Sequence, residues 1–141
     1  MKILLIDDNE AITKATARVL KLKGHDCNLV NDGKTGLNLI TENEYDLILL
    51  DMSMPGFSGL DLLKSLKADS KNFSKIVICT AMSVPPEQLA ELKNFGIKSI
   101  LKKPFSLSEI DKIISDQDSS LKISNWYEFE NFNCRRQWKY F

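Results

Sequence analysis

Three short apolar runs that do not alternate with polar residues divide the first half of the chain. At 2–6, 46–50 and 75–79 a single charged residue is followed by four consecutive apolar ones. Continuous runs of this length read as strands covered on both faces of a parallel sheet. Two weaker strands are predicted at 26–30 and 97–101. Between these runs the apolar spacing becomes helical. Ile12, Thr16, Val19 and Leu22 recur behind Asn9, a residue type that caps helix starts, and Gly24 closes the segment. A second helix is predicted over 34–41 and a third over 59–67, with Leu60, Leu63 and Leu66 or Lys67 on successive turns. The fourth begins near Pro86, which suits a first turn, and ends before Gly96. The fifth opens on Ser106-Leu107-Ser108-Glu109, a capping box, and turns Ile110, Ile113 and Ile114 inward.

Five strand–helix units in strict alternation predict an α/β fold. Its parallel sheet is doubly wound, with helices on both faces, because each crossover is right-handed. In open sheets of this kind functional groups gather at the carboxyl edge. The unusual polar residues fall there: Asp7 and Asp8 end the first strand, Asp51 the third and Thr80 the fourth. Lys103 follows the fifth strand, just before Pro104. Two adjacent carboxylates with a third nearby make an oxygen-rich, negative pocket that calls for a hard divalent cation, and Mg2+ suits it. With the metal bound, one carboxylate can attack a phosphoryl group, and the protein's work is positioning and charge neutralisation. Lys103 can pair with a carboxylate or a phosphoryl oxygen, and the Thr80 hydroxyl can hydrogen-bond the new group. Taken singly, Asp7 and Asp8 also read as a favourable helix start, and Lys102-Lys103 as a solvated pair. The set decides between the readings, since a carboxylate placed after four apolar strand residues is costly without partners.

A length of 141 residues suits one compact domain. Nineteen basic and nineteen acidic residues cancel, so charge alone points neither to a nucleic-acid binder nor to an acidic disordered chain. The apolar start breaks off at Asp7-Asp8, too early for a signal-peptide core. No run nears the roughly 20 apolar residues needed to cross a bilayer, so membrane insertion is not expected. Cys27, Cys79 and Cys134 are odd in number and lack C-x-x-C spacing, which argues against disulfides or zinc and for the cytoplasm. Cys79 is expected to be a buried small apolar group, and His25 a surface loop residue.

The motifs I-D-D at 6–8, L-L-D-M-S-M-P-G at 49–56, C-T-A at 79–81 and K-K-P-F at 102–105 are individually weak. Together, in this order and spacing, they make residues 1–117 resemble the response-regulator receiver family of two-component signalling, in its stand-alone, chemotaxis-regulator-like form. The resemblance implies a flavodoxin-like (βα)5 fold with strand order 2-1-3-4-5. It implies that Asp51 is the phosphoacceptor, and that Asp7, Asp8, Asp51 and the backbone carbonyl of Ser53 hold Mg2+. Thr80 becomes the switch hydroxyl and Lys103 the charge partner. The implied donor is a phosphohistidine on a sensor histidine kinase or phosphotransfer protein. The resemblance also implies a domain that assists later hydrolysis of the aspartyl phosphate and is no turnover enzyme. Its implied output is switched binding of a downstream protein or of a second copy.

One position departs from the pattern: Ile100 stands where the family usually has Tyr or Phe, three residues before the lysine, so coupling from Thr80 to the outer face is expected to be altered. Phe105 is expected to pack against the core. A haloacid-dehalogenase-like phosphohydrolase would need an acid where Ser53 stands. An FMN-binding flavodoxin would need a phosphate loop after the first strand. A degenerate receiver that binds partners without phosphorylation is opposed by the intact acidic, hydroxyl and lysine set.

Residues 118–141 leave the family pattern and form an extension, not an independent domain. The segment holds both tryptophans and seven of the chain's twelve aromatics. It is too short for a helix-turn-helix and too aromatic for an ordinary disordered tail. Three readings stand: folding back onto the receiver, a dimer or partner contact, and contact with nucleic acid through Arg135, Arg136 and Lys139. The last is the weakest, given the small charge.

Overall fold

A computed structural model describes residues 1–66 and 70–118, the last two by their backbone alone. The extension beyond 118, including Cys134 and the residues behind its three readings, lies outside the described residues, as does Lys67. The elements run β1 Lys2–Ile6, α1 Glu10–Leu22, β2 Asp26–Val30, α2 Gly33–Glu42, β3 Leu47–Asp51 and α3 Gly59–Ser65. A 3-10 turn at Lys71–Lys75 leads to β4 Ile76–Thr80, α4 Pro86–Phe95, β5 Ser99–Lys102 and α5 Leu107–Asp118. All strand pairs are parallel, in the order β2-β1-β3-β4-β5, as expected.

The continuous apolar runs are explained by burial on both faces. In β3, Ile48 and Leu50 enter one core with Ile40 of α2, Leu62 and Leu63 of α3, and Leu92 of α4. Leu47 and Leu49 enter the other, with Ala17 and Leu20 of α1 and Ile110 and Ile113 of α5. Because side chains alternate across a strand, an alternating sequence would have left one of these layers unfilled.

Local signals fix the helix ends. The Asn9 side chain accepts from the Ile12 N–H at 3.2 Å. The Ser106 N–H donates to Glu109 at 2.6 Å and the Glu109 N–H to the Ser106 hydroxyl at 3.3 Å, which completes the capping box of α5. Gly96 ends α4 with φ +94°, a left-handed conformation natural to glycine, and the Ile97 N–H returns to the Leu92 carbonyl.

The expected strand positions 46–50, 75–79 and 97–101 shift by one or two residues. Asp46 ties its N–H to Lys2 O and its carboxylate to Lys2 N–H, ahead of the β3 ladder. Lys75 belongs to the 3-10 turn, and Ile97 is consumed in closing α4. The shift has a consequence: Asp51 and Thr80 are the last residues of their strands and inherit the strands' rigidity. No described helix is long and apolar enough to cross a membrane.

Ile48→Ala, at a position with no solvent exposure, should cost about 2–5 kcal/mol in urea denaturation. Asp111→Ala, which removes a half-exposed ion pair with Lys23, should cost about 1 kcal/mol or less.

Candidate functional site

Four strand ends deliver the site. Asp7 follows β1, and its N–H donates to Val30 O at 3.2 Å. Its carboxylate is held at both oxygens: Oδ1 accepts from the Asn9 N–H at 2.9 Å and Oδ2 from the Lys103 ammonium. Asp51 ends β3; its Oδ1 accepts from the Ser53 N–H at 3.2 Å and lies 3.5 Å from Lys103 Nζ. Lys103 follows β5, and its N–H donates to Thr80 O at 2.8 Å, which joins the last two strand ends. The Lys103–Pro104 peptide is cis. Asp7 and Asp51 are buried, whereas Asp8 is exposed. One oxygen from each of the three carboxylates lies within 4.8 Å of the others.

The loop between Asp51 and α3 is pinned where the helix begins. The Gly59 N–H donates to Met52 O at 3.2 Å. A Cβ at Gly59 would collide with the Asp51 carbonyl oxygen and lie 2.9 Å from Met52 Cα. Only glycine lets α3 start this close to the carboxylate-bearing backbone. Thr80 is buried, and its hydroxyl is engaged locally: it donates to Met82 O and accepts from the Met82 N–H, each at 3.2 Å.

One ammonium, that of Lys103, serves a cluster of three carboxylates and pairs with two of them, Asp7 and Asp51. Burial is the main cause that pushes the Asp51 carboxyl up to about 6; the charges of Asp7 and Asp8 add to it, while the Ser53 N–H and Lys103 oppose it. For Lys103, burial disfavours the charge. The Asp7 hydrogen bond and the Asp51 and Asp7 charges outweigh that, and the amine is held above its ordinary value. Burial drives the Cys79 thiol up to about 12, so it is an inert core group, as expected. With the acids ionised the set lacks two positive charges. A hard divalent cation bound by oxygen supplies them, so the donor set fits Mg2+.

The structure brings Asp7, Asp8, Asp51 and Lys103 together, with Thr80 at the next strand end. Ser53 is exposed beside them, in contact through its N–H. Ile100 is half-buried against the α2/α3/α4 core, and Phe105 packs on the opposite core. Two connections have no signal in the sequence. One is the Thr80–Met82 pair, and the other is Asn31, whose Nδ2 donates to Asp7 O at 2.8 Å.

Residues 3–115 match the family model described as the response regulator receiver domain. The chain is 30% identical over 118 residues to the chemotaxis protein CheY-3 of Vibrio cholerae, covering 80% of this chain and 91% of that protein. It is 31% identical over 119 residues to the sensory/regulatory protein RpfC of Xanthomonas campestris, covering 82% of this chain but only 16% of RpfC. Among solved structures, the response regulator TrrA of Thermotoga maritima, in complex with Mg2+-BeF, matches with TM-score 0.69 and 26% identity, over 82% of this chain and 97% of that one.

The raised Asp51 value has a definite sign for stability. The native state binds this proton more tightly than the unfolded state, whose carboxyl keeps a value near 3.8. Stability of the metal-free protein therefore falls as pH rises from about 4 to about 6, and the deficit is complete above that. Its scale is roughly 3 kcal/mol at most. Asp51→Asn keeps an acceptor for the Ser53 N–H and removes the charge. In EDTA it should gain about 1–3 kcal/mol in urea denaturation at about pH 7 and lose the acid-side slope.

Proposed function

The chain belongs to the response regulator receiver domain family, and from that premise we propose that Asp51 accepts a phosphoryl group from a phosphohistidine donor. The observation that carries this reading is the convergence of three carboxylate oxygens within 4.8 Å under an ammonium shared by Asp7 and Asp51. Asp51 Oδ1 is occupied by the Ser53 N–H and faces Lys103, which leaves Oδ2 as the attacking oxygen. That oxygen bonds to phosphorus as the bond to the donor imidazole breaks, and an acyl phosphate results. Asp7, Asp8, Asp51 and the Ser53 carbonyl are the residues that would hold Mg2+. When bound, Mg2+ supplies charge neutralisation for the transferring oxygens. Lys103 contributes a further positive charge and holds Asp7 in place. The same set then assists hydrolysis of the acyl phosphate, which returns the domain to its resting state.

The Thr80 hydroxyl has a limited number of partners. To donate to a phosphoryl oxygen it must give up its one O–H bond, now made to Met82 O, while it can still accept from the Met82 N–H. That exchange removes one of the two ties on the segment between β4 and α4 and passes the state of Asp51 to the α4 side of the molecule. Ile100, an aliphatic side chain on the same core, gives this response no aromatic ring to carry it. Residues 1–117 form the phosphorylated unit in this reading and 118–141 an extension of it. The donor is a sensor histidine kinase or phosphotransfer protein, the recipient of the signal is a downstream protein or a second copy, and the setting is the cytoplasm.

Incubation with acetyl phosphate and Mg2+ should add the mass of one phosphoryl group to the native chain and nothing to Asp51→Asn. An unmodified native chain under these conditions would count against the proposal. Thr80→Ala should still take the group, while beryllofluoride should no longer shift the amide resonances of residues 81–84. A Thr80→Ala protein that cannot be phosphorylated would place the hydroxyl in the chemistry instead of the readout.

A further inference from the structure

The three carboxylates are held very differently. Asp7 and Asp51 are buried, and each is fixed by a backbone N–H and by Lys103. Asp8 is exposed, and its carboxylate has no hydrogen bond or ion pair among the described residues. With no partner to hold the side chain, what the protein fixes is its Cα–Cβ direction, through the backbone and so through the Asp7–Asp8 peptide. The carbonyl of that peptide lies past the last paired residues of the β1 ladders, Ile6 with Val30 and with Leu50. Its partner is a side chain. Asn31 Nδ2 donates to Asp7 O at 2.8 Å and to Thr13 Oγ1 at 3.3 Å, which uses both of its N–H bonds. Thr13 is buried, and its hydroxyl donates to Glu10 O at 3.0 Å. One amide thus fastens the end of β2 to the end of β1 and to the first turn of α1.

We propose that Asn31 is a positioning residue for Mg2+: by holding the Asp7 carbonyl it fixes the 7–8 peptide and aims the Asp8 carboxylate at the oxygens of Asp7 and Asp51. The inference rests on reading the acidic trio as the Mg2+ site. Groups that orient a metal ligand commonly change affinity by an order of magnitude or more when removed. Asn31 is an exposed residue just after β2 and contributes little to either core. Its loss should therefore act on the peptide without unfolding the domain.

Asn31→Leu keeps the approximate volume and removes both donors. Calorimetric titration should give an Mg2+ dissociation constant raised roughly tenfold over the native chain. In the metal-free protein, amide exchange at Asn9, whose N–H is bonded to Asp7 Oδ1, should quicken severalfold while exchange in β3 and β4 stays as it was. A role confined to stability would instead lower the urea midpoint and quicken exchange throughout. Equal Mg2+ affinity in variant and native chain overturns this inference alone. Absence of Mg2+ binding by the native chain overturns the reading of the acidic trio, and this inference with it.

Discussion

A single ammonium, that of Lys103, is shared between two buried carboxylates, and the carboxyl edge of the sheet is arranged around it. A buried charge without a partner is expensive, and one cation cannot neutralise Asp7, Asp8 and Asp51 together. The remaining cost stands in the raised Asp51 carboxyl, at about 6. The fold tolerates it because the strands beneath are packed on both faces. Each residue of β3 from Leu47 to Leu50 is at most 4% exposed. The apolar runs that specify the sheet thus also sustain an acid where an acid is unfavourable, and so leave the site tuned to bind positive charge.

Topology decides which groups meet. The order β2-β1-β3-β4-β5 makes β1 and β3 central neighbours, so the carboxylates that follow Ile6 and Leu50 face one another. On the other side of β3, Asp51 pairs in register with Cys79, and the next residue of β4 is Thr80, opposite Lys102. The Lys103 N–H bonded to Thr80 O then returns the lysine toward the acids. The Thr80 hydroxyl, which caps its own loop at Met82, sits one strand spacing from the Asp51 carboxylate, and α4 is the next helix in the chain.

Much of this was legible in the sequence, for identifiable reasons. Unbroken apolar runs can satisfy only a strand buried twice, and strict alternation with helices leaves only a parallel sheet. Acids, a hydroxyl and a lysine at the ends of such strands could then be gathered by the rule of the carboxyl edge. Strand limits were less legible because a polar residue reads as the end of an apolar run. Asp51 and Thr80 are polar and yet belong to the ladder, and Ile97 is apolar and yet closes a helix. The 3-10 turn at Lys71–Lys75 carries no periodic signal at all. Asn31 could not be found from the chain alone, since it reaches a backbone carbonyl 24 positions away and looks like any asparagine after a strand.

The burial of Asp51's charge against incomplete compensation is tested most directly by the protons exchanged when Mg2+ binds. The native chain would be titrated with Mg2+ at about pH 6 in two buffers of different ionisation enthalpy, and again at about pH 8. With the Asp51 carboxyl at about 6 in the metal-free protein, about half a proton should be released per ion at the lower pH and almost none at the higher. Identical heats in the two buffers at about pH 6 would mean that Asp51 is already fully ionised there. The carboxyl edge would then carry no unmet negative charge for a cation to relieve.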